Sequence, residues 1–174
     1  MYVVDCVRQR VEVGHADFIS EMRFLTMLFI GFPDLTVPRL PEDVSAIGDV
    51  DQVQACMLAC QTAMNELDGS LLQMRCDEKG FLAVCAFGLG GRSHMQQAVR
   101  GVQAAIRVRE LALASGNETA IGVTTGDLMC ACVGSRTRME YTVFGDFINR
   151  PGRRPVGPDR TGPATTFWTG FDLS

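Results

Sequence analysis

The sequence predicts an α+β domain in which a mostly antiparallel sheet is covered by helices on one face. Apolar runs of strand length alternate with two long segments whose apolar residues recur at helical spacing. Pairs of the strand-like runs are joined by short polar or glycine-containing turns, which are typical of hairpins. The resulting order, β-α-β-β-α-β-β-β-α, is close to a ferredoxin-like arrangement.

The first half of the chain predicts one strand, one helix and one hairpin. Residues 1–22 form an N-terminal segment, predicted to be helical from Val11 to Met22. Asp68-Gly69 is expected to end the helix with a glycine stop, because glycine tolerates the conformation that follows a last helical turn. The predicted elements are a strand at 23–32, a helix at 51–67, and hairpin strands at 71–76 and 81–87.

The second half predicts a helix followed by three strands. Ser93-His-Met-Gln96 has the capping-box pattern, so the helix is expected to open there, to continue to Ala114 and to stop at Gly116. A hairpin is predicted around Gly126-Asp127. The apolar face of the helix is assigned to Met95, Val99, Val102, Ile106 and Leu113. The predicted strands are 119–125, 128–133 and 139–144.

The last part of the chain differs in composition from the rest. Residues 151–174 contain four prolines and four glycines and have neither helical nor strand periodicity. Such a segment buries too little apolar surface to offset the entropy of ordering it, so we predict a disordered tail. The predicted organisation is an N-terminal segment at 1–20, a domain at 21–150 and the tail at 151–174.

Composition and charge exclude several classes of function. The net charge is −4, which gives no reason to expect nucleic acid as a partner, and no apolar stretch reaches the roughly 18 residues of a membrane span. The seven cysteines form no CxxC pair, and only two histidines are present. Buried, reduced thiols in a cytoplasmic protein are therefore favoured over a zinc site or a disulfide framework. The acidic residues near the N-terminus do not suit a secretory signal.

The most specific motif is the run Glu140-Tyr-Thr-Val-Phe-Gly-Asp-Phe-Ile-Asn149, which is followed by Arg153. An amide and a guanidinium four positions apart share one face of a helix. A guanidinium pairs with phosphate oxygens and a carboxamide can orient a sugar. With the stretches 77–91 and 120–149, this motif resembles the class III nucleotide cyclases. The resemblance is greatest to the second catalytic half of the soluble, bicarbonate-responsive adenylyl cyclases, and it covers about Glu21 to Arg153.

The resemblance implies the nucleotide cyclase fold and its reaction. The family converts ATP to cyclic AMP and pyrophosphate by attack of the ribose 3′-oxygen on the α-phosphorus, with two divalent cations held by aspartates. Family members continue after the motif into a long helix and a terminal strand hairpin. Pro151, Gly152 and Pro155 are incompatible with that helix, so these C-terminal elements are expected to be missing.

The resemblance also implies a set of site residues. Thr142 matches the position that reads the adenine edge, and Gln73 matches the position of a lysine on the purine side. Phe144 belongs to the same substrate-binding set. Asn149 matches the asparagine that orients the ribose, and Arg153 matches the arginine that stabilises charge on the α-phosphate. The non-functional alternatives are an ordinary strand threonine, a helix-capping asparagine and a solvated arginine.

The metal-binding positions of the family carry no carboxylate here. The first aspartate corresponds to Gly31 and the second falls near Phe81. We therefore expect no metal ligands in this chain, and Mg²⁺ or Mn²⁺ would be held by a complementary half. That half would be another part of the parent polypeptide or a heterodimer partner. The chain alone, or as a homodimer, is expected to be inactive.

Two alternatives to a catalytic half remain open. The chain could be a non-catalytic module with the cyclase fold that binds a nucleotide or forms a dimer with a cyclase half. It could also be a structural fragment whose sheet lacks its closing strands and leaves a hydrophobic edge exposed.

Overall fold

The computed structural model describes residues 20–35, 50–77, 80–90, 95–135, 138–145 and 166–169 of the 174-residue chain. Its elements are β1 (Ser20–Phe32), α1 (Val50–Glu66), β2 (Ser70–Asp77), β3 (Gly80–Phe87), α2 (Gln97–Ala114), β4 (Ala120–Ser135), β5 (Arg138–Phe144) and β6 (Thr166–Thr169). Neither helix in this part of the chain is long and apolar enough to cross a membrane.

The described strands form one antiparallel sheet in the order β2-β3-β1-β4-β5, and β6 also pairs with β4. The central strand is β1, which runs between β3 and β4. Each helix connects two strands that run in the same direction and are not neighbours in the sheet, and both helices lie on one face. The predicted α+β, ferredoxin-like fold is therefore confirmed.

The main core lies between the helices and the sheet. Leu28 and Ile30 of β1 are fully buried against Cys60 of α1 and against Ala104 and Val108 of α2. Since β1 is the central strand, this contact holds both helices to the middle of the sheet. Loss of apolar contact there would affect the whole domain rather than one edge.

The predicted apolar face of α2 is wrong. Four of the five residues assigned to it are exposed: Met95, Val99, Ile106 and Leu113. The buried face consists of small residues and one valine: Gly101, Ala104, Ala105, Val108 and Ala112. Small side chains allow the helix backbone to lie close to β1, and this close contact decides which face is buried. The larger side chains of α2 consequently point outward.

The predicted hairpin around Gly126-Asp127 is also wrong, because β4 is one continuous strand of 16 residues. It pairs with β1 without interruption from Ser20 opposite Ala131 to Gly31 opposite Ala120. The long partner strand overrides the local turn signal. β1 itself begins at Ser20, so the last residues of the predicted N-terminal helix are in a strand, while residues 1–19 lie outside the described part.

The helix ends agree partly with the sequence. Helix α2 begins after Gln96, which is therefore its N-cap residue. The predicted capping box would instead make Ser93 the N-cap and place Gln96 inside the first turn. Ser93 itself lies outside the described residues. Gly116 has a φ of 79° after α2, as predicted. After α1 the left-handed residue is Asp68, with a φ of 59°, rather than Gly69.

A strand is present inside the predicted tail. Thr166–Thr169 forms β6, which pairs with Ile121–Thr124 of β4 although the sequence shows no strand periodicity there. The other residues of 146–174 lie outside the described part of the chain. The domain boundaries at 20 and 150 therefore stay a prediction.

Buried thiols in the core predict a loss of stability at alkaline pH. Burial raises the pKa of Cys60 from 9.0 to about 12 and raises the pKa of the fully buried Cys85 as well. In the unfolded chain these thiols ionise near their ordinary pKa, so the free energy of unfolding is unaffected below pH 9. It falls as the pH rises from there toward the folded-state pKa.

Denaturant titrations between pH 8 and pH 11 measure this effect. The slope of stability against pH should be smaller in Cys60→Ala than in the wild type, by up to about 1.4 kcal/mol per pH unit. The half-buried Cys132 serves as control, and Cys132→Ala should change the slope less. Equal slopes in wild type and Cys60→Ala would contradict the prediction.

Candidate nucleotide site

The strand that carries the first half of the specific motif, β5, is held in register by β4. Thr142 lies opposite Ala131, and Phe144 lies opposite Met129. Tyr141 and Val143, which alternate with these residues, pack against a second buried cluster. Successive side chains of a strand point to opposite faces, so Thr142 and Phe144 project from the other face of the sheet.

This second cluster lies on the sheet face away from the helices. It is built from β1, β3, β4 and the turn after β3, and its buried members are Leu25, Met27, Ala86, Leu89, Leu128 and Cys130. Because Tyr141 and Val143 contribute to it, a one-residue slip of β5 would bury Thr142 and expose these apolar side chains. The cluster therefore fixes the direction of Thr142 and Phe144.

The outward side chains of β5 belong to an exposed apolar row that crosses three strands. Met22, Met129 and Phe144 lie directly opposite one another across β1, β4 and β5, and they are 67%, 45% and 46% exposed. Phe24 follows in the next row of β1 and is also exposed. Thr142 is half-buried one row further along, beside Ala131 and Ser20. Contiguous exposed apolar surface of this kind is typical of an interaction face.

Gln73 is not brought to this row. It lies on β2, and β3, β1 and β4 separate β2 from β5 in the sheet. At the usual spacing of about 4.8 Å between strands, the two strand positions are about 19 Å apart along the sheet. A β-bulge between Leu71 and Gln73 places Gln73 opposite Val84, and Val84 packs against the cluster on the face away from the helices. Gln73 and Thr142 therefore belong to different faces of the sheet.

The two positions that match the family's metal aspartates are also separated. Gly31 lies opposite Leu82 and Ala120, and a Cβ atom there would meet only the Ala120 carbonyl oxygen, at 3.5 Å. Phe81 is buried on the opposite face, where its ring packs against that of Phe32 with centroids 5.8 Å apart. A side chain at 81 is thus committed to the main core.

The described residues do not fit a divalent-cation site. Within them, no group of three or more His, Cys, Asp or Glu side chains could hold a metal ion. Asn149 and Arg153, the ribose and phosphate residues of the predicted set, lie outside the described residues, so their roles stay predictions.

The sequence analysis missed two features around the site. Met22 was assigned to the end of the helical N-terminal segment and Phe24 to the strand after it, although their i, i+2 spacing is that of one strand face. Arg23, which points to the other face, donates from Nη1 to the Gly88 carbonyl at 3.4 Å, and its Nε lies 2.8 Å from Glu21 Oε1. The hydrogen bond and charge of Glu21 raise the Arg23 pKa, and the pair joins β1 to the turn after β3.

Comparison with known proteins supports a cyclase catalytic domain. Adenylate cyclase type 10 of Mus musculus is 23% identical over 155 residues, which are 87% of this chain and 9% of that protein. The chain thus spans about a tenth of the length of the curated relatives it matches. No family model matches the chain.

Solved structures give the same fold. The adenylyl cyclase CyaB from P. aeruginosa has a TM-score of 0.61 at 23% identity, over 77% of this chain and 71% of that one. The guanylyl cyclase Cya2 has a TM-score of 0.59 at 18% identity, over 87% of this chain and 93% of that one. The resemblance predicted from the motifs at 77–91 and 120–149 is confirmed.

Proposed function

We propose that this chain, which has the fold of a class III nucleotide cyclase catalytic domain, supplies the nucleotide-reading half of an active site that converts ATP to cyclic AMP and pyrophosphate. The observation that carries the proposal is the surface of β5. Thr142 and Phe144 project together from the sheet, and an apolar row continues from them across β4 to β1. A complementary half that covers this row would enclose a ligand held by Thr142.

The chemistry of the proposed half is recognition and charge stabilisation. The Thr142 hydroxyl can donate to or accept from the adenine edge, and the exposed Phe144 ring can pack on the base. Asn149 is proposed to orient the ribose, and Arg153 to stabilise charge on the α-phosphate. Gln73 is also proposed as a substrate contact, but only on the sequence resemblance. Its position on β2, far from Thr142 in the sheet, does not support that role.

Divalent cations would come from the complementary half. Gly31 and Phe81 provide no carboxylate, and the second position is filled by a core aromatic ring. When bound, Mg²⁺ or Mn²⁺ would activate the attacking oxygen and neutralise the leaving pyrophosphate. We propose a cytoplasmic location, since the buried cysteines are free thiols and a nucleotide substrate is available there.

A reconstitution assay tests this function. Cyclic AMP formation from manganese-ATP is measured for the chain alone and for a mixture with a cyclase half that carries both metal aspartates. We expect product only in the mixture, and we expect Asn149→Ala to abolish it. Gln54→Ala removes an exposed amide from α1 and is the matched control, which should leave the rate unchanged.

A non-catalytic docking module is the second candidate. Gly31 and Gln73, at positions where the family has an aspartate and a lysine, favour this candidate, as do the prolines at 151 and 155. A mixture that forms a complex but makes no cyclic AMP would establish this candidate and overturn the catalytic proposal.

A further inference from the structure

The outward face of α2 carries an apolar stripe that has no partner within the described structure. Val99, Ile106 and Leu113 are 52%, 52% and 54% exposed and recur every seven residues. Seven residues fall about 20° short of two full turns, so the three side chains lie almost in line along the helix. At about 1.5 Å per residue the stripe is about 21 Å long.

The stripe borders a groove between the two helices. Ile106 lies above a groove between α1 and α2 that is lined by Glu66, Leu67, Gln103, Arg107 and Glu110. The Arg107 guanidinium donates to both carboxylate oxygens of Glu66, at 2.9 and 3.2 Å, and so links α2 to the end of α1. An apolar seam on a helix that is held in place loses little entropy when it associates.

We infer that a second copy of this chain covers the stripe through an antiparallel pairing of the two α2 helices. A twofold interface requires a surface that is complementary to itself. The stripe meets this requirement because Val99 and Leu113 are each seven residues from Ile106. In the antiparallel pair, Ile106 meets Ile106 of the second copy, and Val99 meets Leu113 at both ends.

The charges of α2 favour the antiparallel direction. A parallel pair in the same alignment would set Glu110 against Glu110, which is unfavourable for two like charges. The antiparallel pair sets Glu110 opposite Val102 and Gln103 opposite Arg109, so that no position faces a like charge. Apolar residues are opposite apolar residues along the whole stripe.

The expected association is weak. One helix of 18 residues on each side gives a contact smaller than the roughly 1,600 Å² of standard stable interfaces. We therefore expect a dimer whose population depends on concentration. This inference is independent of the proposed function, since it uses α2 and not β5.

Sedimentation or light scattering over a concentration series tests the association. The wild-type mass should rise from monomer toward dimer, and Ile106→Asp should weaken the dimer at least about tenfold without lowering the melting temperature, because Ile106 is outside the core. Arg75→Asp, on the exposed edge strand β2, is the matched surface control and should leave the dimer unchanged. A wild-type chain that stays monomeric at every concentration, or an Ile106→Asp chain that still dimerises, would overturn the inference.

Oxidative cross-linking tests the direction of the helices. Val99→Cys mixed with Leu113→Cys should give a disulfide-linked dimer. Val99→Cys alone should give no more cross-linked dimer than the wild type, which has only its native cysteines. Efficient cross-linking of Val99→Cys to itself would show a parallel pair. Equal cross-linking in all samples would show that another surface holds the copies together, and either result rejects the antiparallel pairing.

Discussion

Replacement of Gly101 by leucine is expected to unfold the chain at room temperature. A Cβ atom at this position would already lie 2.7 Å from Thr26 Cγ2 and 3.3 Å from Leu28 Cδ1. Both residues are fully buried in the central strand and face α2, so neither can move without opening the core between β1 and α2. The further carbons of leucine have no free space to occupy. Overpacking typically costs about 1–3 kcal/mol of unfolding free energy. The cost of leucine at this site should be larger, because β1 and α2 must separate to make room for it.

Urea denaturation of a matched series measures the effect. Gly101→Ala should lose about 1–3 kcal/mol of unfolding free energy, offset in part by the roughly 1 kcal/mol by which alanine favours a helix over glycine. Ala98→Leu adds the same leucine to an exposed position of α2 and should change stability by less than about 0.5 kcal/mol. A Gly101→Leu chain as stable as the wild type would mean that α2 does not pack on β1 through this glycine.

The order of elements from β1 to α2 was predictable from the sequence, but the buried face of α2 was not. Apolar periodicity favours the residues with large side chains, and in α2 these form the stripe at Val99, Ile106 and Leu113. The core face consists mainly of alanine and glycine, whose small size gives them little weight in such a pattern. These small residues are buried because α2 lies close to β1, and tertiary packing sets that distance.

The continuous strand β4 illustrates a second limit of local signals. Gly126-Asp127 is typical of a tight turn, yet Gly126 pairs with Leu25 and Asp127 pairs with Phe24 in an unbroken ladder. A turn at this point would remove the partner of the first half of β1. Strand pairing over 12 residues outweighs a dipeptide preference, and no local pattern contains that information.

The candidate site was predictable to the extent that it depends on strand alternation. The run from Tyr141 to Phe144 predicts that Thr142 and Phe144 share a face, and the structure places them so. The separation of Gln73 from Thr142 was not predictable, because the bulge before Gln73 and the position of β2 in the sheet have no signature in the sequence. Asn149 and Arg153 are in the part of the chain that the structure does not describe.

Removal of the Thr142 hydroxyl should lower the activity of the reconstituted mixture. Thr142→Val keeps the shape and the β-branched form of the side chain, so the half-buried strand position should tolerate it. If the hydroxyl hydrogen-bonds the adenine edge, its loss costs about 1 kcal/mol, which corresponds to a decrease of about five- to tenfold in kcat/KM for ATP. Thr142→Ser retains the hydroxyl and should remain within about threefold of the wild type.

The choice of nucleotide makes this experiment specific for base recognition. The adenine and guanine edges differ in their donors and acceptors, so a residue that reads the base should change the ratio of rates with ATP and GTP. A structural threonine would instead lower both rates equally, together with the melting temperature. An unchanged ratio in Thr142→Val with normal stability would remove Thr142 from the site. Because Phe144 shares its face, Phe144→Ala should then be compared at both nucleotides to learn whether β5 contacts the base at all.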